Sequence, residues 1–409
     1  MTPERLLFLL TTVAVIVGFW LFNTHALPTT IGEDSLQLRR QNTELTREND
    51  DLRGQVANLR SMLANGPYPV PEPLIEFVQK DLGLDFASAP PMVKMVGPDE
   101  LRNATERTLN LIYGPSGIAQ NEKVWRTLGL LAADENFLAD WLTLVVYGEA
   151  GFYDLSEDTI FLPQESDLTD TRTQAVLVRL LAQQRIARLR PEKTWPSLDA
   201  YRAWQAATLG AAYDCEKRYF KRRSLSVGND KNSPAAQRDA LLLELSPAFQ
   251  NLANLPNLEG RERANEAYLE SRAAFAEFLK NPPTSTRELL FPKAAPIAEV
   301  PNTEKSNYYQ SIGSFGLRLI LDPAIGLEAS SEIAKHWCSD QIEDKGDTIN
   351  ITIHLNDSPA AQKLTAALTE IYEKQLVSPI SSVSEISSPI PFSEENRQYR
   401  IVTLELKVP

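Results

Sequence analysis

Five side chains in the 409-residue chain are of the two types that most readily ligate zinc: His25, His336, His354, Cys215 and Cys338. Two cysteines exclude a disulfide-dense scaffold and a four-cysteine zinc module. Cys215 and Cys338 either pair, which an extracytoplasmic location permits, or stay two separate buried thiols. Sequence gives no distance between their Cα atoms and favours neither. His336 stands beside Trp337 and Cys338, but no second His or carboxylate set follows at ligand spacing. Cations gather in two runs, Arg179, Arg185, Arg188 and Arg190, then Lys217, Arg218, Lys221, Arg222 and Arg223. Such runs are usually solvated faces or favourable helix C-termini; a docking surface for an acidic partner or anionic lipid is the sharper alternative. Against 41 Lys+Arg stand 54 Asp+Glu, a net charge of −13, which argues against nucleic acid as a partner.

The elements around these residues begin with an apolar run, residues 6–22, with no charge in it. Seventeen helical residues reach roughly 25 Å, just enough to span a bilayer. Arg5 precedes the run and Arg39 is the first basic residue after it, so the positive-inside rule puts the N-terminus in the cytoplasm. The chain reads as a single-pass inner-membrane protein with residues 1–26 as anchor and the globular part outside; secretion after cleavage near Ala26 is the alternative. Across 33–65 a heptad follows, with Leu38, Leu45, Leu52 and Leu59 at d and Asn42, Asn49, Val56 and Leu63 at a. Leucine at d with asparagine at a predicts a parallel two-stranded coiled coil, hence a homodimer. An amphipathic helix packed back on the globular part is the plainer alternative. Prolines 67, 69, 71 and 73 then read as a stiff spacer over 66–73.

With 43% hydrophobic and 23% charged residues, the remainder is ordinary globular protein. Helical periodicity dominates it. Residues 151–163 read as a β-hairpin with a Ser-Glu-Asp turn, followed by helices over 171–190 and 199–223, then 236–253 and 261–280. Residues 348–355 alternate, with Ile349, Ile351, Ile353 and Leu355 on one face and His354 on the polar one, and predict a half-buried strand. Strand 400–408 alternates likewise and should pair with 348–355 or with the hairpin. The fold class is α+β, mainly helical, with the main domain over 74–376 and a Ser/Pro-rich connector and terminal strand over 377–409.

Several segments resemble, in order and spacing, a bacterial group of gluzincin-type zinc metallopeptidase domains. They are Leu82 to Pro91, Leu128-Gly129-Leu130-Leu131, Gly151-Phe152-Tyr153-Asp154, Ile312 to Leu317 with Ser314 where Glu is usual, and the Trp337/Asp340 turn. The resemblance covers about 77–376 and implies a zincin-like domain behind the anchor and coiled coil. It also implies an HExxH helix, whose two histidines one turn apart hold zinc beside a glutamate base. Matching Ala182-Gln183-Gln184 to the family's helix puts the histidines at Leu177 and Leu181, the base at Val178 and the third ligand at Leu209. All four are apolar, and no His lies between 26 and 335. The domain therefore resembles a pseudopeptidase needing no metal or other cofactor. The plain reading of the same residues is a core stripe.

Three functions follow as expectations. The first is a membrane-tethered, dimeric, non-catalytic scaffold that binds a protein or peptide. The second is an active hydrolase with an unrecognised site, the third a structural coiled-coil spacer of the cell envelope. An open apolar cleft between the 171–190 helix and the hairpin favours the first; a filled one favours the third.

Overall fold

The computed structural model describes residues 68–86, 90–114, 116–223, 234–294, 311–375, 380–386 and 400–408, with Asn42, Leu45 and Asn49. The chain divides into two compact units, Met1–Leu63 and Ala64–Pro409. In the first, Asn42, Leu45 and Asn49 are helical and exposed, Leu45 at 63%. The run 6–22, Ala26, Leu38, Leu52, Val56, Leu59 and Leu63 lie outside the described residues. Among the described residues no helix is long and apolar enough to cross a membrane.

The larger unit is α+β and mainly helical. Its first helix, α1 (Glu72–Leu82), starts on prolines and closes on left-handed Gly83, whose N–H donates to the Gln79 carbonyl. The described end of the Pro-rich stretch is not a free spacer. Tyr68 keeps its N–H between the prolines and donates it to the Val93 carbonyl at 2.6 Å, stitching the stretch to strand β1 (Met92–Val96). Next come α2 (Pro98–Tyr113), α3 (Gly117–Thr127) and α4 (Phe137–Thr143), which runs on as a π-helical turn, Leu144–Gly148. The expected hairpin follows as β2 (Phe152–Asp154) and β3 (Thr159–Pro163). β3 pairs antiparallel with β2 and parallel with β1, giving a three-stranded sheet ordered β1-β3-β2.

Two long helices form the spine, α5 (Thr171–Ala187) and α6 (Leu198–Arg222), capped by Asp170 and Ser197 side chains that accept from Thr173 and Ala200 N–H groups. The helices expected over 236–253 and 261–280 are each broken in two. Ser246-Pro247 ends α7 (Pro234–Leu243) and opens α8 (Pro247–Asn254), since Ser caps and Pro suits the first helical position. After a second π-helical turn, Pro256–Gly260, extended Ser271 separates α9 (Arg261–Glu270) from α10 (Arg272–Lys280). Short α11 (Thr286–Leu290) and long α12 (Gly313–Ala334) complete this half.

The C-terminal third adds β4 (Trp337–Asp344), β5 (Thr348–Leu355), α13 (Ser358–Gln375), β6 (Ile380–Ile386) and β7 (Arg400–Lys407). These strands form a separate antiparallel sheet, ordered β4-β5-β7-β6, so β5 and β7 pair with each other and not with the hairpin. Ile349, Ile351, Ile353 and Leu355 share one buried core with Val402, Leu404, Leu406 and with Leu364 and Leu368 of α13. Two expectations are corrected here. Trp337 and Asp340 lie in an edge strand rather than a turn, and part of the Ser/Pro-rich connector is β6. The terminal strand is therefore central to the sheet, not an appendage. The cysteines are free: Cys215 is buried in α6 beside Asp81, and Cys338 sits on β4 beside Arg287. Burial raises the Cys338 thiol to about 12 and the Cys215 thiol well above its ordinary value.

Candidate functional site

A cleft of about 120 Å³ opens between α2, α4 and its π-helical turn, β2, α5 and α6. Its walls are mostly apolar: Leu109, Trp141, Leu144, Val145, Phe152, Leu180 and Leu209 contribute, with Pro256 from the second π-helical turn. π-helical turns recur at functional sites because the extra residue re-aims side chains, and both turns here reach this cleft.

The hairpin wall explains why the Gly151-Phe152-Tyr153-Asp154 segment has those residues. A Cβ on Gly151 would stand 2.8 Å from both Leu162 and Leu180. Tyr153 donates to Asp158 at 2.8 Å, and Asp158 holds the turn at φ 54°. Asp154, fully buried, accepts from Ser156 and Glu157 N–H groups and the Thr108 hydroxyl, and pairs with Arg107 at 3.0 Å. This carboxylate fastens the hairpin to α2.

On α5 the side chains at the cleft are Arg179, Leu180 and Gln183. Arg179 and Gln183 are four residues apart and share one helix face. Leu177, Val178 and Leu181 are fully buried and do not line the cleft, whereas Leu209 on α6 does. The core-stripe account therefore describes Leu177, Val178 and Leu181, and the register that faces the cleft is shifted by two residues. Two residues on a helix turn a side chain through roughly 200°, which moves it from the cleft to the core.

Arg179 centres a buried charge cluster that sequence reading missed. Glu149 bridges it to Arg238, at 2.8 Å to each guanidinium. Arg179 also donates to the Tyr213 hydroxyl at 3.2 Å, and its guanidinium lies 5.0 Å from the Tyr213 ring centre. Glu216 approaches Arg179 at 3.4 Å. Burial alone would raise Glu149, but the Arg179 and Arg238 guanidiniums overcome it and hold that carboxyl below its ordinary value. Glu216 is pushed up to about 7 by burial, against Arg179 and helped by Glu149. Burial would lower Arg179, yet Glu149, Tyr213 and Glu216 raise it further, so it stays charged. The available signal was a lone Arg inside the apolar stretch 175–182: a charge there must find partners when buried.

Three other cations of the two runs are also engaged. Arg188 pairs with Asp158 at 2.8 Å, Arg190 donates to the Thr194 carbonyl, and Arg218 pairs with Asp81 and Asp214. The histidines stay apart: His354 faces Ser339 at 3.0 Å across β4 and β5, and His336 faces Asn356 at 2.8 Å. His354 is half-buried, and burial lowers its pKa from the ordinary value.

Where α12 begins, Asp340 accepts from the Ile312 and Gly313 N–H groups at 3.0 and 2.8 Å and from Trp337 Nε1 at 2.9 Å. Burial raises Asp340 to about 6. Ser314, where the resemblance has Glu, donates to the Ala334 carbonyl at 2.8 Å. Thus Trp337, Asp340 and Ile312 to Leu317 assemble into a helix cap.

Zinc needs lone pairs from about three protein side chains. A guanidinium has none, Leu209 has none, and the Glu149 carboxylate is already held by two arginines. Among the described residues no His, Cys or Ser lines the cleft. The residues here do not fit the metal, and among the described residues no group of His, Cys, Asp or Glu is placed to hold one. No family model, curated protein or solved structure matches the chain.

Proposed function

We propose that the head is a degenerate zincin-like domain that binds a peptide segment without cleaving it, carried as a parallel dimer on a membrane anchor. The supporting observation is the open, mostly apolar cleft beside α5, whose helix presents Arg179 and Gln183 to it and no metal ligand. A cleft that is open and apolar with a few converging polar groups suits a ligand better than a spacer. The Glu149–Arg179–Arg238 cluster supports the non-catalytic part, since Glu149, the carboxylate that lines the cleft, is held by two guanidiniums rather than left to take a proton from water. The anchor at 6–22, with the N-terminus cytoplasmic and the head outside, belongs to the proposal on sequence grounds.

The test uses the full-length protein in detergent. Metal analysis after dialysis should find far less than one zinc per chain, and a broad peptide library should yield binders but no cleavage products. Chelator-sensitive cleavage, or one zinc per chain, would revive the hydrolase. A library with neither binders nor products would leave the spacer.

A further inference from the structure

The cleft contains a second buried cation, and its situation differs from that of Arg179. Arg202 on α6 is 3% exposed and lines the cleft, yet among the described residues no carboxylate pairs with it. Two of its hydrogen bonds are at the long limit, 3.4 Å to the Ile312 carbonyl and 3.5 Å to Asn121 Oδ1. Its Nε has no hydrogen-bond partner, and neither has the Nδ2 of Asn121, itself 2% exposed. The Trp125 ring lies 5.4 Å away, and the Tyr113 hydroxyl accepts a further hydrogen bond from the same guanidinium. Asp199 feels the charge, but both its oxygens are committed to Thr286. Buried guanidiniums normally form short, often bidentate bonds to an anion, so this one has donor capacity left over.

The position along the helix gives the ligand's dimensions. Arg202, Gln205, Leu209 and Tyr213 all line the cleft from α6, at spacings of three and four residues, and therefore form one face. The eleven helical steps from Arg202 to Tyr213 span roughly 16 Å. An extended peptide covers that in about five residues. One end of the face is the under-satisfied cation, the middle is Leu209, and the far end is the Glu149–Arg179–Tyr213 cluster. An alkyl-chain carboxylate would satisfy Arg202 but would end its methyl group against those charges. A peptide would set amide groups or its amino end there instead.

We propose that this cleft binds the free C-terminus of a short apolar peptide, with the terminal carboxylate on Arg202 and the preceding four or so residues running along α6 towards Tyr213. The assignment rests on the peptide-binding function above and narrows it to chain ends.

The experiment is isothermal titration of the full-length protein in detergent with three probes: Ala-Leu-Val-Leu-Leu as free acid, the same peptide as C-terminal amide, and dodecanoate. The acid should bind at least tenfold more tightly than the amide, and Arg202→Gln should erase that difference while Arg202→Lys keeps part of it. The acid–amide comparison on the unmutated protein carries the test even if the variants fail to fold. Equal binding of acid and amide would overturn the carboxylate assignment and leave peptide binding intact. Binding of dodecanoate alone, or of none of the probes, would overturn both.

Discussion

Glu216 is the carboxyl in the cleft cluster whose proton is in play near neutrality. Burial holds it at about 7, with Arg179 pulling down and Glu149 pushing up. A carboxyl raised on folding contributes stability that is fully present below its unfolded pKa and is lost as pH rises through the folded one. Glu149 has the opposite sign: held low by two arginines, it contributes above the ordinary carboxylate range and loses that contribution in acid. Thermal midpoints should therefore fall between about pH 4.5 and about pH 7.5 and level off above that. Glu216→Gln should flatten the slope and stabilise the alkaline end by about 1–3 kcal/mol. An unchanged slope in the variant would assign the titration to another group. Arg179→Met is the harsher change, because it strips one guanidinium from Glu149 and leaves Glu216 without its cation; a loss of about 3–5 kcal/mol is expected in denaturant titrations. This layer of the site was barely legible in the sequence. Arg179 and Arg202 each interrupt an apolar helical stretch, which signals a buried charge, but neither partner lies within ten residues: Glu149 is 30 positions from Arg179, and Asn121 is 81 from Arg202. Periodicity carries no information at that range.

At the scale of elements, the cleft keeps its shape because α6 and the second π-helical turn touch backbone to backbone. A Cβ on Gly210 would fall 2.1 Å from the Gly260 carbonyl carbon, and one on Gly260 would fall 1.9 Å from the Ala206 carbonyl oxygen. No side-chain rearrangement relieves an overlap with backbone, so Gly210→Ala should cost at least about 1–3 kcal/mol in chemical denaturation. Gly97→Ala is the control, since nothing lies within 4 Å of its Cβ; a change within about 0.5 kcal/mol is expected. If Gly210→Ala were as neutral as Gly97→Ala, the close approach would be wrong. Element identity was legible wherever one face was continuously buried. β5 announces itself by alternation because both its neighbours and α13 bury the same four side chains. β4 and β6 are edge strands with a partner on one side only, and so need few apolar residues; no alternation marks Trp337-Cys338-Ser339-Asp340 as a strand, and the turn expected at Trp337 and Asp340 came from the resemblance alone. Helix breaks at Ser246-Pro247 and Ser271 were available as caps but were hidden inside longer helical periods.

For the molecule as a whole, the question is whether the heads act singly or in pairs. Leu45 is helical and 63% exposed in a single chain, and Asn42 and Asn49 are helical and exposed with it. A leucine at a d position gains its burial from a partner helix, worth roughly 1.5–3 kcal/mol per side chain. Asparagine at a lowers stability but is satisfied only by its mate in a parallel, in-register pair, so it selects the arrangement rather than strengthening it. Two parallel stalks would present two clefts on the same side of a membrane, so a target with two chain ends would meet a raised effective concentration. Full-length protein in detergent should sediment as a dimer, and replacing Leu52 and Leu59 together with Glu should give monomers with an unchanged melting transition of the head. If the unmutated protein sediments as a monomer, the helix of Asn42, Leu45 and Asn49 is not a dimer seam, and the double variant should then leave sedimentation unaltered. The acid–amide difference at Arg202 should survive in the Leu52/Leu59 variant, because every residue invoked for that contact lies in the unit Ala64–Pro409.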